Sequence, residues 1–197
     1  YERIKKRLPR RWWQALFQQK AASSEGVIFL RDWTRRRWQK PAPVPHSFDE
    51  LLQSWDTKAT DAKGDGASWV VGQVWGRKGP DFWLLHQVRE QVGFVGTLAL
   101  IRAVSRDWPL ATRKLIERKA SGPQVIEVLR GKIGGIEAIE PKGSKRQRGE
   151  AVTPLWASGN VVLPADDVGP WVKEAVEEIV GFRGLDKEVN DVVDTMT

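Results

Sequence analysis

Cysteine is absent from all 197 residues, which excludes disulfides and thiolate metal sites. Histidine occurs only at His46 and His86, too far apart in sequence to form a ligand pair. A metal site in this chain must therefore be built from oxygen ligands, which points to hard divalent ions such as Mg²⁺ or Mn²⁺. No apolar run approaches the roughly 18 residues that span a bilayer, and no charged-then-apolar leader opens the sequence. The chain reads as intracellular, with no membrane partner. It opens on Tyr1 rather than Met and stops inside a helical pattern, so a piece of a longer protein is expected.

What is present is a basic field confined to one end. Residues 1–40 carry 12 Lys/Arg against 3 Asp/Glu, net +9, whereas residues 41–197 carry 20 against 22, net −2. Trp12, Trp13, Trp33 and Trp38 are interleaved with that charge, a mixture suited to phosphate contact with stacking, or to docking on the body of the protein. Pro41-Ala42-Pro43-Val44-Pro45 follows as a stiff, extended connector. We therefore expect a division into a basic, Trp-rich connector over 1–45 and one folded domain over 46–197; the 41% hydrophobic content of the chain is ordinary for a globular core.

Within that domain the pattern predicts strands over Leu51–Asp56, Ser68–Trp75 and Phe82–Val88, the last two joined by the turn signal Gly76–Asp81. A helix follows over Gly93–Trp108, where Phe94, Leu98, Ile101 and Val104 keep helical spacing and Pro109 ends the run. Next come a strand ending at Glu117, a helix over Pro123–Leu129, a short strand at Ile136–Ile139, a helix over Ser144–Trp156 and an extended Asn160–Leu163. Helices over Val168–Val180 and from Lys187 onward close the chain. Three strands in antiparallel order, then alternating helices and strands, make an α/β protein whose mixed sheet is parallel in its second half and flanked by helices.

Four carboxylates stand out. Asp56 and Glu117 each close an apolar run, where an acid is expensive unless a cation neutralises it, and Asp191 and Asp194 lie one helical turn apart. Each also has a plainer reading. Asp56 suits a strand-end turn, Glu117 a surface ion pair with Arg118 or Lys119, and Asp191 and Asp194 a solvated helix face. Asp61 and Asp65, in a Gly/Lys-rich loop, read as solvated.

Six collinear segments carry a resemblance: Ser54-Trp55-Asp56-Thr57, Val70-Val71-Gly72-Gln73-Val74-Trp75-Gly76, Leu115–Gly122, Pro141-Lys142-Gly143-Ser144-Lys145, Ser158–Pro164 and Asn190–Asp194. In that order they resemble the nuclease domain of the large terminase subunit of tailed bacteriophages over about residues 48–197. Residues 14–33 resemble, more weakly, the connector that follows the family's packaging ATPase. The order of elements matches the RNase H-like fold, and the resemblance implies a RuvC-like member of it. The resemblance implies convergence of the acids on one sheet edge and an endonuclease that cuts concatemeric viral DNA during packaging with two Mg²⁺ or Mn²⁺ ions. It further implies Asp56 bridging both ions, Glu117 holding one, and Asp191, with Asp194 in support, holding the other.

Double-stranded DNA, the ATPase domain of the same full-length chain, the small terminase subunit and the portal are the partners so implied, in the host cytoplasm. No Gly-x4-Gly-Lys-Ser/Thr phosphate loop occurs, so the ATPase half is not in this sequence. Asn190 stands where the family often has a first acid of a pair, Ala157 where an acid is frequent, and His86 where an acid is common. Lys142, Lys145, Arg146 and Arg148 form the concentrated basic patch of the body. They are candidate phosphate contacts, with Lys119 beside Glu117 as another, or equally a solvated helix start. A non-catalytic DNA-gripping or docking module, and a junction resolvase or transposase-type nuclease on the same fold, stand as alternatives.

Overall fold

The computed structural model describes residues 26–41, 45–57, 69–185 and 191–196. Its centre is a seven-stranded mixed sheet in the order β1-β7-β4-β3-β2-β5-β6. The strands are β1 (Arg37–Trp38), β2 (Glu50–Thr57), β3 (Val70–Lys78), β4 (Asp81–Glu90), β5 (Arg113–Glu117), β6 (Ile136–Ile139) and β7 (Val161–Pro164). Helices α1 (Phe94–Asp107), α2 (Gly122–Leu129), α3 (Lys145–Ala157), α4 (Trp171–Gly181) and α5 (Asp191–Asp194) cover it.

The β2–β3 and β3–β4 pairs are antiparallel; β5 on β2, β6 on β5 and β7 on β4 are parallel. This is the arrangement expected from the sequence. The hairpin strands run further than their apolar pattern, to a tight turn at Gly79-Pro80, where Gly79 takes φ 55° and its N–H donates to Asp49 Oδ2 at 2.7 Å. The terminal helix is described only over Asp191–Asp194, because residues 186–190 lie outside the described set, as do the loop residues 58–68 with Asp61 and Asp65.

Side chains alternate across each strand, and the alternation divides the core in two. On one face Leu51, Trp55, Val70, Val74, Leu85 and Ile116 pack under α1 and α2. Trp55 lies directly over its strand partner Gly72, where a Cβ would stand 2.3 Å from the indole, so that position admits only glycine. On the other face Leu84, Val161 and Leu163 pack with α4, α5 and Trp156 of α3.

Residues 26–41, expected within the connector, lie against this second face. Ile28, Phe29 and Trp33 are buried in it, and Trp38 is buried with its indole N–H donating to Leu84 O at 2.8 Å. Arg36 pairs with Asp81 at 2.6 Å, and β1 extends the sheet beside β7. Of the four interleaved tryptophans, Trp33 and Trp38 thus dock on the body, while Trp12 and Trp13 lie outside the described residues. Among the described residues no helix is long and apolar enough to cross a membrane.

Candidate active site at one end of the sheet

The parallel pairing of β2 with β5 runs through Ser54 opposite Leu115 and Trp55 opposite Ile116. One more residue along that register sets Asp56 beside Glu117, on strands about 4.8 Å apart. Trp55 and Ile116 belong to the α1/α2 core, so Asp56 and Glu117 point to the opposite face, with Ser54 and Leu115. Asp56 is 3% exposed, and Glu117 is largely buried.

Two local devices hold the strand ends level. The Ser121 hydroxyl donates to Thr57 O, tying the end of β2 to the turn that leaves β5. Gly122, the first residue of α2, lies so close to the Glu117 carbonyl that a Cβ there would stand 1.8 Å from the oxygen. The Ser121-Gly122 pair therefore fixes where the carbonyl of Glu117 and the backbone of Thr57 sit, and through them the two acids.

Helix α5 crosses the same face. Gln73 of β3 donates from Nε2 to Val192 O at 3.3 Å, and the start of α5 is capped by Glu178 of α4, whose Oε1 accepts from Val192 N–H at 2.6 Å. Arg89 of β4 reaches Glu178 at 3.6 Å and Asp191 at 3.7 Å, with its guanidinium 4.7 Å from the Trp69 ring. Burial pushes the Glu178 carboxyl up from its ordinary range, more than Arg89 and the backbone donors pull it down. Arg89 and Glu178 escape the sequence pattern because the apolar alternation of the strand ends at Val88. One more step of alternation from Gln87 puts a half-buried arginine on the acid face.

Asp194 has a different setting. It is nearly enclosed, its side chain 3% exposed, with Lys145 Nζ 2.8 Å from Oδ2 and Arg148 2.9 Å from Oδ1. Ser144 and Gln147 form a reciprocal capping box that starts α3 at Lys145, which sets Lys145 and Arg148 on one face of the first turn. A cavity of about 820 Å³ between the sheet and α3 is bordered by Asp194, Glu117, Ser54, Lys142 and Arg148.

The predicted phosphate contacts are thus divided. Lys142 is exposed at the cavity rim, Arg146 pairs with Glu150 at 2.9 Å, and Lys145 and Arg148 are engaged by Asp194. Lys119, 60% exposed, stands 3.1 Å from Glu117. His86 lies on the other face, beside Trp108, with its imidazole pKa lowered by burial, and Ala157 packs in the second core.

The donor set fits a hard divalent ion. Asp56 and Glu117 stand at the ends of neighbouring strands on one face, no cysteine is present, and His86 lies on the other face beside Trp108. Asp191 and Asp194, on α5, each have a cation of the chain against them. Among the described residues no group of three or more His, Asp or Glu gathers closely enough to hold an ion.

Comparison with solved structures gives the fold independently. The large terminase of a thermophilic bacteriophage superposes with a TM-score of 0.70 at 16% identity over 99% of this chain, which spans 50% of that protein. The large terminase nuclease of another thermophilic phage, G20c, solved with bound magnesium, gives 0.59 at 17% identity, covering 87% of this chain and 94% of that one. The large terminase nuclease domain of bacteriophage SPP1, solved with bound Mn, gives 0.56 at 14% identity, covering 83% and 94%. The mixed sheet is that of these RNase H-like domains. No curated protein matches the sequence. The family model for the terminase RNase H-like domain matches residues 53–197, and the chain belongs to that family.

Proposed function

We propose that this domain is a metal-dependent DNA endonuclease that cuts concatemeric viral DNA during genome packaging. The observation that carries the reading is the placement of Asp56 beside Glu117 on one face of the sheet, at the ends of two parallel strands. The buried carboxylate of Asp56 and the partly exposed one of Glu117 repel each other, and a divalent cation between them removes that penalty. The relatives solved with magnesium and with manganese support the same ion class.

In this reading Asp56 and Glu117 would hold the ions, and the C-terminal acids Asp191 and Asp194 would complete the set. Bound ions would supply an activated water at neutral pH and charge neutralisation for the leaving 3′-oxygen. The chain's own contribution is placement. The Ser121 and Gly122 contacts fix the strand ends, the Glu178 cap and Arg89 hold Asp191 on the acid face, and Lys142, Lys145, Arg146, Arg148 and Lys119 supply cations for backbone phosphates. Such contacts carry no base information, so cutting would show little sequence preference.

Residues 1–45 are proposed to lead to an ATPase domain of the same protein, with the small terminase subunit and portal as further partners and the host cytoplasm as the place of action. The 50% coverage of the large terminase that superposes at 0.70 supports the first of these. The pairing of both C-terminal acids with cations of the chain favours one second reading, a DNA-gripping module without catalysis. Supercoiled plasmid incubated with Mg²⁺ or Mn²⁺ distinguishes them. The endonuclease linearises it, chelator stops the reaction, and Asp56→Asn abolishes it; the gripping module only retards it on a gel. Preference for branched over linear duplex would instead indicate a resolvase-type activity.

A further inference from the structure

The carboxylate of Asp194 is nearly enclosed and is gripped from both oxygens by Lys145 and Arg148 on the first turn of α3. Two cations side by side at the start of a helix make an anion site, because the exposed N–H groups and the helix dipole add to their field. In the protein alone, the anion in that site is Asp194.

Asp194 also borders the same open cavity as Glu117, with Lys142 and Arg148 on its rim. Asp194 and Glu117 thus line one cavity from two elements, α5 and β5. Withdrawing Asp194 alone would take from the 10%-exposed Arg148 the carboxylate it pairs with.

Building on the metal-site reading above, we propose that Asp194 is an internal stand-in for a DNA phosphate on Lys145 and Arg148, and that duplex binding exchanges it for phosphate and releases Asp194 to join Asp56 and Glu117 at the metal site. The exchange conserves charge at every position. The cations keep an anion, and the acid trades two fixed cations for a divalent one. Metal binding is then tighter when DNA is in place, which restrains cutting in the idle protein.

Linkage makes the proposal measurable without any cleavage. Mn²⁺ binding is followed by electron paramagnetic resonance, with and without a short phosphorothioate duplex that resists hydrolysis. Wild type should bind Mn²⁺ roughly tenfold more tightly with the duplex, within the usual range of coupling between sites. The double variant Lys145→Gln/Arg148→Gln should bind Mn²⁺ more tightly than wild type without DNA and gain little when duplex is added. Lys132→Gln, at an exposed lysine that does not line the cavity, should keep the wild-type gain.

A second variant guards against misfolding of the first. Asp194→Asn should bind duplex more tightly than the charge-matched Asp191→Asn and lose the duplex-induced gain in Mn²⁺ affinity. The exchange is wrong if wild type shows no gain. It is equally wrong if the double variant keeps the gain of Lys132→Gln, or if Asp194→Asn and Asp191→Asn bind duplex alike. Wild-type Mn²⁺ binding that is absent throughout, or that survives Asp56→Asn, would instead overturn the metal-site reading itself and the exchange with it.

Discussion

The β2–β5–β6 ribbon carries acids at both ends of one face, and the two ends neutralise them differently. At the near end Arg113 sits between Glu50 and Glu137, with contacts of 2.7 Å to each. Those hydrogen bonds hold both carboxyls below their ordinary range and raise the Arg113 guanidinium above its own. At the far end Asp56 and Glu117 lie side by side, and the cation against Glu117 is a solvent-exposed lysine. A fixed arginine closes the first end to further chemistry. Under the proposed function the second end accepts a cation from solution, and strand ends alike in charge would then differ in use.

The largest effect that would break this contrast is at Asp56. Asp56→Asn should abolish plasmid cleavage while leaving the metal-free thermal midpoint unchanged or raised, since it relieves repulsion between neighbouring carboxylates. Cleavage at the wild-type rate would return both ends of the ribbon to a structural role.

Next in size is the scaffold of the far end. Gly122→Ala drives a methyl into the Glu117 carbonyl, so it should lower stability by about 1–3 kcal/mol and reduce cleavage severely. Gly181→Ala, where a Cβ meets nothing within 4 Å, is the comparison and should leave both at or above wild type. Urea melts and initial cleavage rates read the two quantities separately.

Arg113→Gln works in the opposite sense. It should lower the thermal midpoint and leave cleavage intact. Because Glu50 and Glu137 titrate lower in the folded protein than in the unfolded one, their stabilisation is present above the ordinary carboxylate range and is lost as pH falls through their depressed values. Wild type should therefore lose stability on acidification more steeply than Arg113→Gln. Parallel pH profiles would show that the near end is no ionic clamp.

The smallest effect concerns DNA. Lys142→Gln should flatten the log–log salt dependence of duplex binding by about 0.9, the share of one phosphate contact. Replacing Lys145 and Arg148 tests instead how far Asp194 already neutralises them.

Much of the fold is legible in the sequence because the sheet's period is short and its strands are rich in Val, Ile and Trp. Leu51–Asp56, Ile136–Ile139 and the helix from Phe94 follow from alternation and helical spacing alone. Strand ends are harder. β4 continues to Glu90 on polar residues, which hides Arg89 and with it the contacts that reach Asp191 and Glu178. The place of residues 26–41 is hidden as well, because a run dense in arginine reads as solvated even when Phe29, Trp33 and Trp38 are buried between the charges. At the site, the strand-end positions of Asp56 and Glu117 are within reach of the pattern, whereas their convergence is implied only by the family resemblance. The capture of Asp194 by Lys145 and Arg148 is beyond the pattern, since periodicity carries no information about which charges meet across elements.

The central claim is that Asp56 and Glu117 together form the seat of a divalent ion. Anomalous diffraction from a crystal soaked in Mn²⁺ tests it most directly. The expected result is manganese coordinated by oxygens of both residues, with Lys119 displaced from Glu117. Manganese bound elsewhere, or none with the Lys119 contact intact, would contradict it.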